Sequence, residues 1–147
     1  MLRIAHVLRR ADPRYSAHVA GEFTDLRTAR YSQRFMRSLG LDGIVHFDGA
    51  ISDMPIWYAD RGVLPSTSMY ESLGLNIGEA MAVGAFPSVH DFPGADRLWL
   101  DACLFASIDE ALASIRSALP DLYRDWVRER YSLQRHQNAV LRLLADL

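Results

Sequence analysis

The sequence contains no lysine: all 16 of its cationic side chains are arginines, set against 18 carboxylates. That absence excludes Schiff-base chemistry and a phosphate-binding P-loop, both of which need the lysine amine. Arginine suits bidentate recognition of phosphate, but an Ala- and Arg-rich composition is also the ordinary product of genomic base bias. Cysteine is nearly absent. The single Cys103 excludes an internal disulfide and a cysteine-built zinc centre, and the 5 histidines show no paired metal-ligand spacing. Long apolar runs are missing as well. None approaches the roughly 20 residues of a membrane span, and the N-terminus has no signal-peptide pattern. A cytoplasmic protein is therefore expected. Net charge is −2 with an isoelectric point near 6.2, so no basic excess points to nucleic acid.

What is present fits one globular domain. Half of the 147 residues are hydrophobic, enough for a real core. No internal repeat, low-complexity tract or linker divides the chain, which predicts a single domain over residues 1–147. Leu2 to Arg10 reads as the end of a helix, although Ile4 and Val7 also allow a strand over residues 2–8. Asp12-Pro13 marks a break, and Tyr15 to Gly21 reads as a strand. Thr24-Asp25 offers an N-cap for a helix that runs to about Leu39 and stops at Gly40. On that helix Arg27, Arg30, Arg34 and Arg37 recur at three- and four-residue steps; without interleaved aromatics they read as a solvated face.

Ile44 to Phe47 is predicted as a short strand. Ser52 or Asp53 then caps a helix through Tyr58, and Gly62 to Pro65 forms the next strand. Ala85 to His90 is a further strand, followed by a turn over residues 92–95, with an edge strand over Cys103 to Ala106. Ser107 or Asp109 caps a helix from Glu110 to Leu119. Pro120 opens another, interrupted near Ser132, and the tail to Leu147 is amphipathic. Strands alternating with helices predict an α/β fold with a mostly parallel, Rossmann-like sheet flanked by helices. Ligands in such folds bind beyond the C-terminal ends of the strands.

The stretch from Ser66 to Gly84 carries the chemistry. Glu71 falls in a loop and Glu79 in the early turns of a small-residue helix, with Gly74 and Gly78 allowing close approach to backbone. The first amides of a helix have no internal partner and favour an anion such as phosphate. Carboxylates beside them suit the hydroxyls of a sugar or ribose. Phosphate and hydroxyls together describe a sugar nucleotide. Each feature also has a plainer reading: Asn76-x-x-Glu79 fits a capping box, and Glu71 fits a solvated loop. His90, at a strand end, reads as a packing or hydrogen-bonding residue ahead of a general base or metal ligand, and Trp57 and Trp99 as core or domain-interface residues ahead of sugar-stacking platforms.

The run from Glu71 to Ala82 resembles the E-x7-E signature of retaining glycosyltransferases of the GT-B fold, family GT4. The segments at Arg14–Glu22, Val45–Gly49, Val63–Thr67 and Asp91–Trp99 are similar to successive landmarks of that family's C-terminal, donor-binding domain. The resemblance covers roughly residues 1 to 135. It implies that Glu79 accepts the ribose hydroxyls and that Glu71 contacts the donor sugar at the reacting centre. It also implies that the backbone near Gly74, Leu75 and Asn76 holds the distal phosphate. Ser66, Thr67 and Tyr70 would line the same rim, and Ile51 would meet the nucleotide base. No cofactor is implied, and with no D-x-D carboxylate cluster no metal is expected.

Two departures from the family pattern set further expectations. The family's domain begins with a strand and a Gly-containing loop, followed by an Arg and a Lys that clamp the diphosphate. This sequence begins inside the helix after that loop and has no lysine. The N-terminal domain that carries the acceptor site has no counterpart here, so a separate N-terminal domain chain or a homodimer is a candidate partner beside the nucleoside-diphosphate sugar. The absent first strand would lie centrally in the sheet. Residues 2–8 could replace it, another chain could donate one, or the sheet could close up without it. A catalytically silent binding or assembly module is the alternative to a working transferase, and a sugar-nucleotide epimerase of the same fold fits the E-x7-E pattern less well.

Overall fold

The computed structural model describes residues 1–117 and 120–145. The predicted end of one helix at Leu119 and of the tail at Leu147 lie outside the described residues. The chain alternates helix and strand: α1 (Leu2–Ala11), β1 (Ala17–Ala20), α2 (Leu26–Ser38), β2 (Val45–Gly49), α3 (Met54–Ala59) and β3 (Val63–Ser66). Then follow α4 (Leu75–Ala82), β4 (Phe86–His90), α5 (Ala95–Leu98), a 3-10 turn at Asp101–Cys103, β5 (Leu104–Phe105), α6 (Ile108–Arg116), α7 (Pro120–Tyr131) and α8 (Leu133–Ala145). The architecture is α/β with parallel strands flanked by helices.

Local chemistry sets the boundaries. The Asp25 carboxylate accepts from the amides of Arg27 and Thr28, each at 2.8 Å, satisfying two orphan donors of α2. Asp53 caps α3 through the Ile56 amide at 3.1 Å. At α6 the cap is Ser107, which accepts from the Glu110 amide, while Glu110 reaches back to the Ala106 amide at 2.8 Å. Gly40 and Gly84 adopt positive φ just past the ends of α2 and α4, where a left-handed residue closes a helix. The one-turn helix α5 follows the predicted 92–95 turn and is too short to carry a periodic signal.

The strands form two separate sheets among the described residues. β1 pairs with β2, and β3, β4 and β5 pair in that order, every pairing parallel. Two of the three expected ways of replacing a central strand are therefore overturned. Residues 2–8 are helical, because Ile4 and Leu8, one turn apart, both bury on one face. Nor does the sheet close up, since no hydrogen bond joins β1 to β3 among the described residues.

The larger core gathers Ile4 and Leu8 of α1, Ile77 and Met81 of α4, Phe86 and Val89 of β4, and buried residues of α6 and α7. Trp99 and Cys103 belong to it, which places Trp99 in the core. Burial pushes the Cys103 thiol pKa up to about 12, since an apolar setting disfavours the thiolate. A smaller cluster joins Tyr58, Ala80 and Ala85 beneath α3. Between the sheets lies a cleft of about 820 Å³.

Candidate functional site

The rim at the C-terminal ends of the strands is built around α4. β3 delivers the buried Ser66, and the loop over residues 67–74 then carries the chain to the helix. Gly74 is the N-cap of α4, with φ 74 and ψ 63. This left-handed conformation suits glycine, and an added Cβ would stand 2.8 Å from Ile77 Cδ1. No side chain caps the helix, so the amides of Leu75 and Asn76 stay available to an anion. Asn76 lies inside the helix and Gly74 takes the cap, so the Asn76–Glu79 capping box does not form.

The two glutamates differ in their surroundings. Glu71 is half-buried and its Oε1 accepts from the Ser68 hydroxyl at 2.8 Å, which fixes the carboxylate at the loop. Glu79 is exposed, and its carboxylate makes no hydrogen bond or ion pair among the described residues. The predicted residues do not share one cavity. Ile51 and Asn76 line the large cleft. Leu75 and Glu79 line a second hollow of about 660 Å³, with Arg130 and Arg135 on its other side. Thr67 is exposed and its Oγ1 lies 3.4 Å from the amino group of Met1. Tyr70 is 77% exposed beside Met69 at 82%, so the loop presents apolar side chains outward. His90 packs its ring edge against Phe105, a packing role.

One cluster is not legible in the sequence. Asp48, on β2, accepts from Trp57 Nε1 at 2.8 Å and from His18 Nδ1 at 3.0 Å, and lies 3.7 Å from the Arg61 guanidinium. The Trp57 hydrogen bond holds its carboxyl below the usual carboxylate range, helped by His18 and opposed in part by desolvation. Arg61 also stacks over the Trp57 ring. The available signal was a His and an Asp in otherwise apolar strands; the register that faces them was not readable.

Residues 1–103 match the family model for glycosyl transferases group 1. The chain belongs to that family. No curated protein sequence matches it. Among solved structures it is similar to Anabaena HepE in complex with UDP, with a TM-score of 0.83 and 21% identity, covering 99% of this chain and 45% of HepE. HepE in complex with UDP-glucose is similar at a TM-score of 0.80. TarM is similar at 0.77 with 19% identity, covering 97% of this chain and 31% of TarM. These likenesses fix the fold. This group 1 glycosyl transferase chain therefore spans less than half the length of those proteins.

Proposed function

We propose that the chain is the nucleotide-sugar-binding portion of a retaining, GT4-type glycosyltransferase. The complete enzyme would move a hexose from a nucleoside-diphosphate sugar to a glycan or lipid-linked acceptor. The observation that carries this reading is the start of α4, capped by Gly74 and by no side chain, with an anchored Glu71 before it and, one turn inside, a Glu79 whose carboxylate makes no hydrogen bond or ion pair among the described residues. Family membership and the UDP and UDP-glucose bound by HepE support it.

In this proposal the Leu75 and Asn76 amides hold the distal phosphate. As the bond between the anomeric carbon and the phosphate oxygen breaks, negative charge grows on the leaving diphosphate, where preorganised amides and the helix dipole stabilise it. Glu71, oriented by Ser68, holds hydroxyls of the sugar near the anomeric centre. Glu79 accepts the two ribose hydroxyls, Ile51 meets the base, and Ser66, Thr67 and Tyr70 complete the wall. Helix dipole and arginine serve the diphosphate charge, so no metal is needed. A second domain would close the cleft and bring the acceptor.

Calorimetric titration with UDP, GDP and ADP tests the reading, with Glu79→Ala alongside. We expect one nucleotide to bind and Glu79→Ala to lose it. Removing hydrogen bonds to ribose hydroxyls weakens affinity by about tenfold or more, at about 1.4 kcal/mol per decade. Equal affinity in wild type and Glu79→Ala would contradict the ribose role. Acceptor-dependent turnover would separate a working transferase from a silent binding module.

A further inference from the structure

We infer that the outer face of α2 docks on an anionic lipid surface. At three- and four-residue steps, Arg27, Arg30, Arg34 and Arg37 fall within about 80° of one another around the helix axis, along about 15 Å of its length. All four are exposed, while Ala29, Ser32, Phe35 and Met36 on the inner side are half-buried. No residue of α2 is buried, so the helix lies on the body of the protein by that inner side alone.

Charge is segregated onto this layer. α1 contributes three arginines and α2 four, out of 16 in the chain, and neither helix contains an Asp or Glu. All 18 carboxylates lie elsewhere, so in a chain of net charge −2 the stripe is not a by-product of overall basicity. The carboxylates nearest to α2 in sequence are Glu22, Asp25 and Asp42. Asp25 is engaged as the cap, accepting from the amides of Arg27 and Thr28 and from the Thr28 hydroxyl. The guanidinium groups of Arg27, Arg30, Arg34 and Arg37 make no ion pair among the described residues. Like charges three and four positions apart on a helix repel, and an external array of phosphates relieves that cost while matching the guanidinium fork.

The flanks of the stripe carry exposed apolar groups. Tyr31, directly after Arg30, is 67% exposed, and its ring stacks on Phe35 with centroids 5.8 Å apart. Arg3 of α1 lies over the same Phe35 ring at 5.9 Å, which sets a fifth cation beside the stripe. Leu26, at the start of the helix, is 75% exposed. Arginines with apolar side chains at their edges suit a membrane interface, where phosphates take the cations and the apolar tips enter the headgroup–acyl boundary. Shape agrees with this. Neither hollow of the candidate site is lined by a residue of α2, so the face is convex, selects no single small anion and meets a flat field of headgroups. A nucleic acid duplex also offers phosphates, but it leaves Leu26 and Tyr31 no apolar phase to enter. No described helix is long and apolar enough to cross a membrane, so the contact is at the surface. It involves α2 rather than the α4 rim and stands whether or not a nucleotide binds there.

The test is co-sedimentation of the full chain with phosphatidylcholine vesicles containing about one-third phosphatidylglycerol, against phosphatidylcholine alone. Binding should require the anionic lipid and weaken as salt is raised. Arg30→Gln with Arg34→Gln should weaken it by about 25-fold, at about fivefold per arginine. Leu26→Ser with Tyr31→Ser, both at exposed positions that tolerate change, should weaken it by about tenfold. Arg116→Gln with Arg142→Gln removes the same charge from α6 and α8 and should bind as the wild type does. Absence of binding to the anionic vesicles, equal binding to phosphatidylcholine alone, or equal loss in the Arg116 and Arg142 pair would overturn the inference. So would a DNA duplex bound as tightly as the vesicles and released by the arginine pair but not by the Leu26 and Tyr31 pair, since the stripe would then serve nucleic acid.

Discussion

The Asp48 carboxylate serves Trp57, His18 and Arg61 at once, while its side chain is only 22% exposed. Asp48→Ala strands the Trp57 N–H and the guanidinium, and should cost about 1–3 kcal/mol of stability, read from a urea midpoint. Its carboxyl is held below the usual range in the folded protein, so on acidification the unfolded chain takes up the proton first. The stabilisation is present above the ordinary carboxylate value of about 4 and is lost as pH falls toward the folded one. Between pH 5 and pH 3 the wild type should therefore lose more stability than Asp48→Asn; parallel losses would contradict the pairing. Glu79 is the opposite case. Exposed and without a hydrogen bond or ion pair among the described residues, it should tolerate Glu79→Ala within about 0.5 kcal/mol, so a lost nucleotide signal in that variant would report on binding rather than on folding.

At the scale of elements, α4 depends on its first residue. Gly74→Ala forces a Cβ into a left-handed backbone and against Ile77. It should destabilise the chain by at least about 1–2 kcal/mol and shift the amides of Leu75 and Asn76. A thermal midpoint unchanged from wild type would show that the cap relaxes. Most element positions were legible because their signals are local. Asp25 and Asp53 cap through side chains within three residues, and β3 and α4 meet at the predicted loop. The reading of residues 2–8 was ambiguous because Ile4 and Val7 suit both periods. Only packing of Ile4 and Leu8 into the larger core decides for a helix. The site was legible in part for the same reason. Glu71 and Glu79 stand out through the resemblance of their stretch to the E-x7-E signature, and the structure sets one in the loop before α4 and the other on α4. The meeting of His18 with Asp48, 30 positions apart, depends on strand register, which no local pattern encodes.

At the scale of the molecule, the two sheets should not be equally stable. The larger core draws on β3, β4 and β5 but on no residue of β1 or β2, and buried Leu41 and Val45 lie outside both clusters. Native-state exchange should therefore show the β1–β2 unit opening more readily than β4, by about tenfold or more in rate. Equal protection in both would mean that they open as one body. Cys103 makes that hierarchy measurable by a simple reaction. It is the sole thiol, buried in the larger core with its thiolate suppressed, so a colourimetric thiol reagent meets it only when that core opens. Its modification rate is a clock for that one event, and it leaves the surface free for a single introduced cysteine to carry a fluorophore without interference.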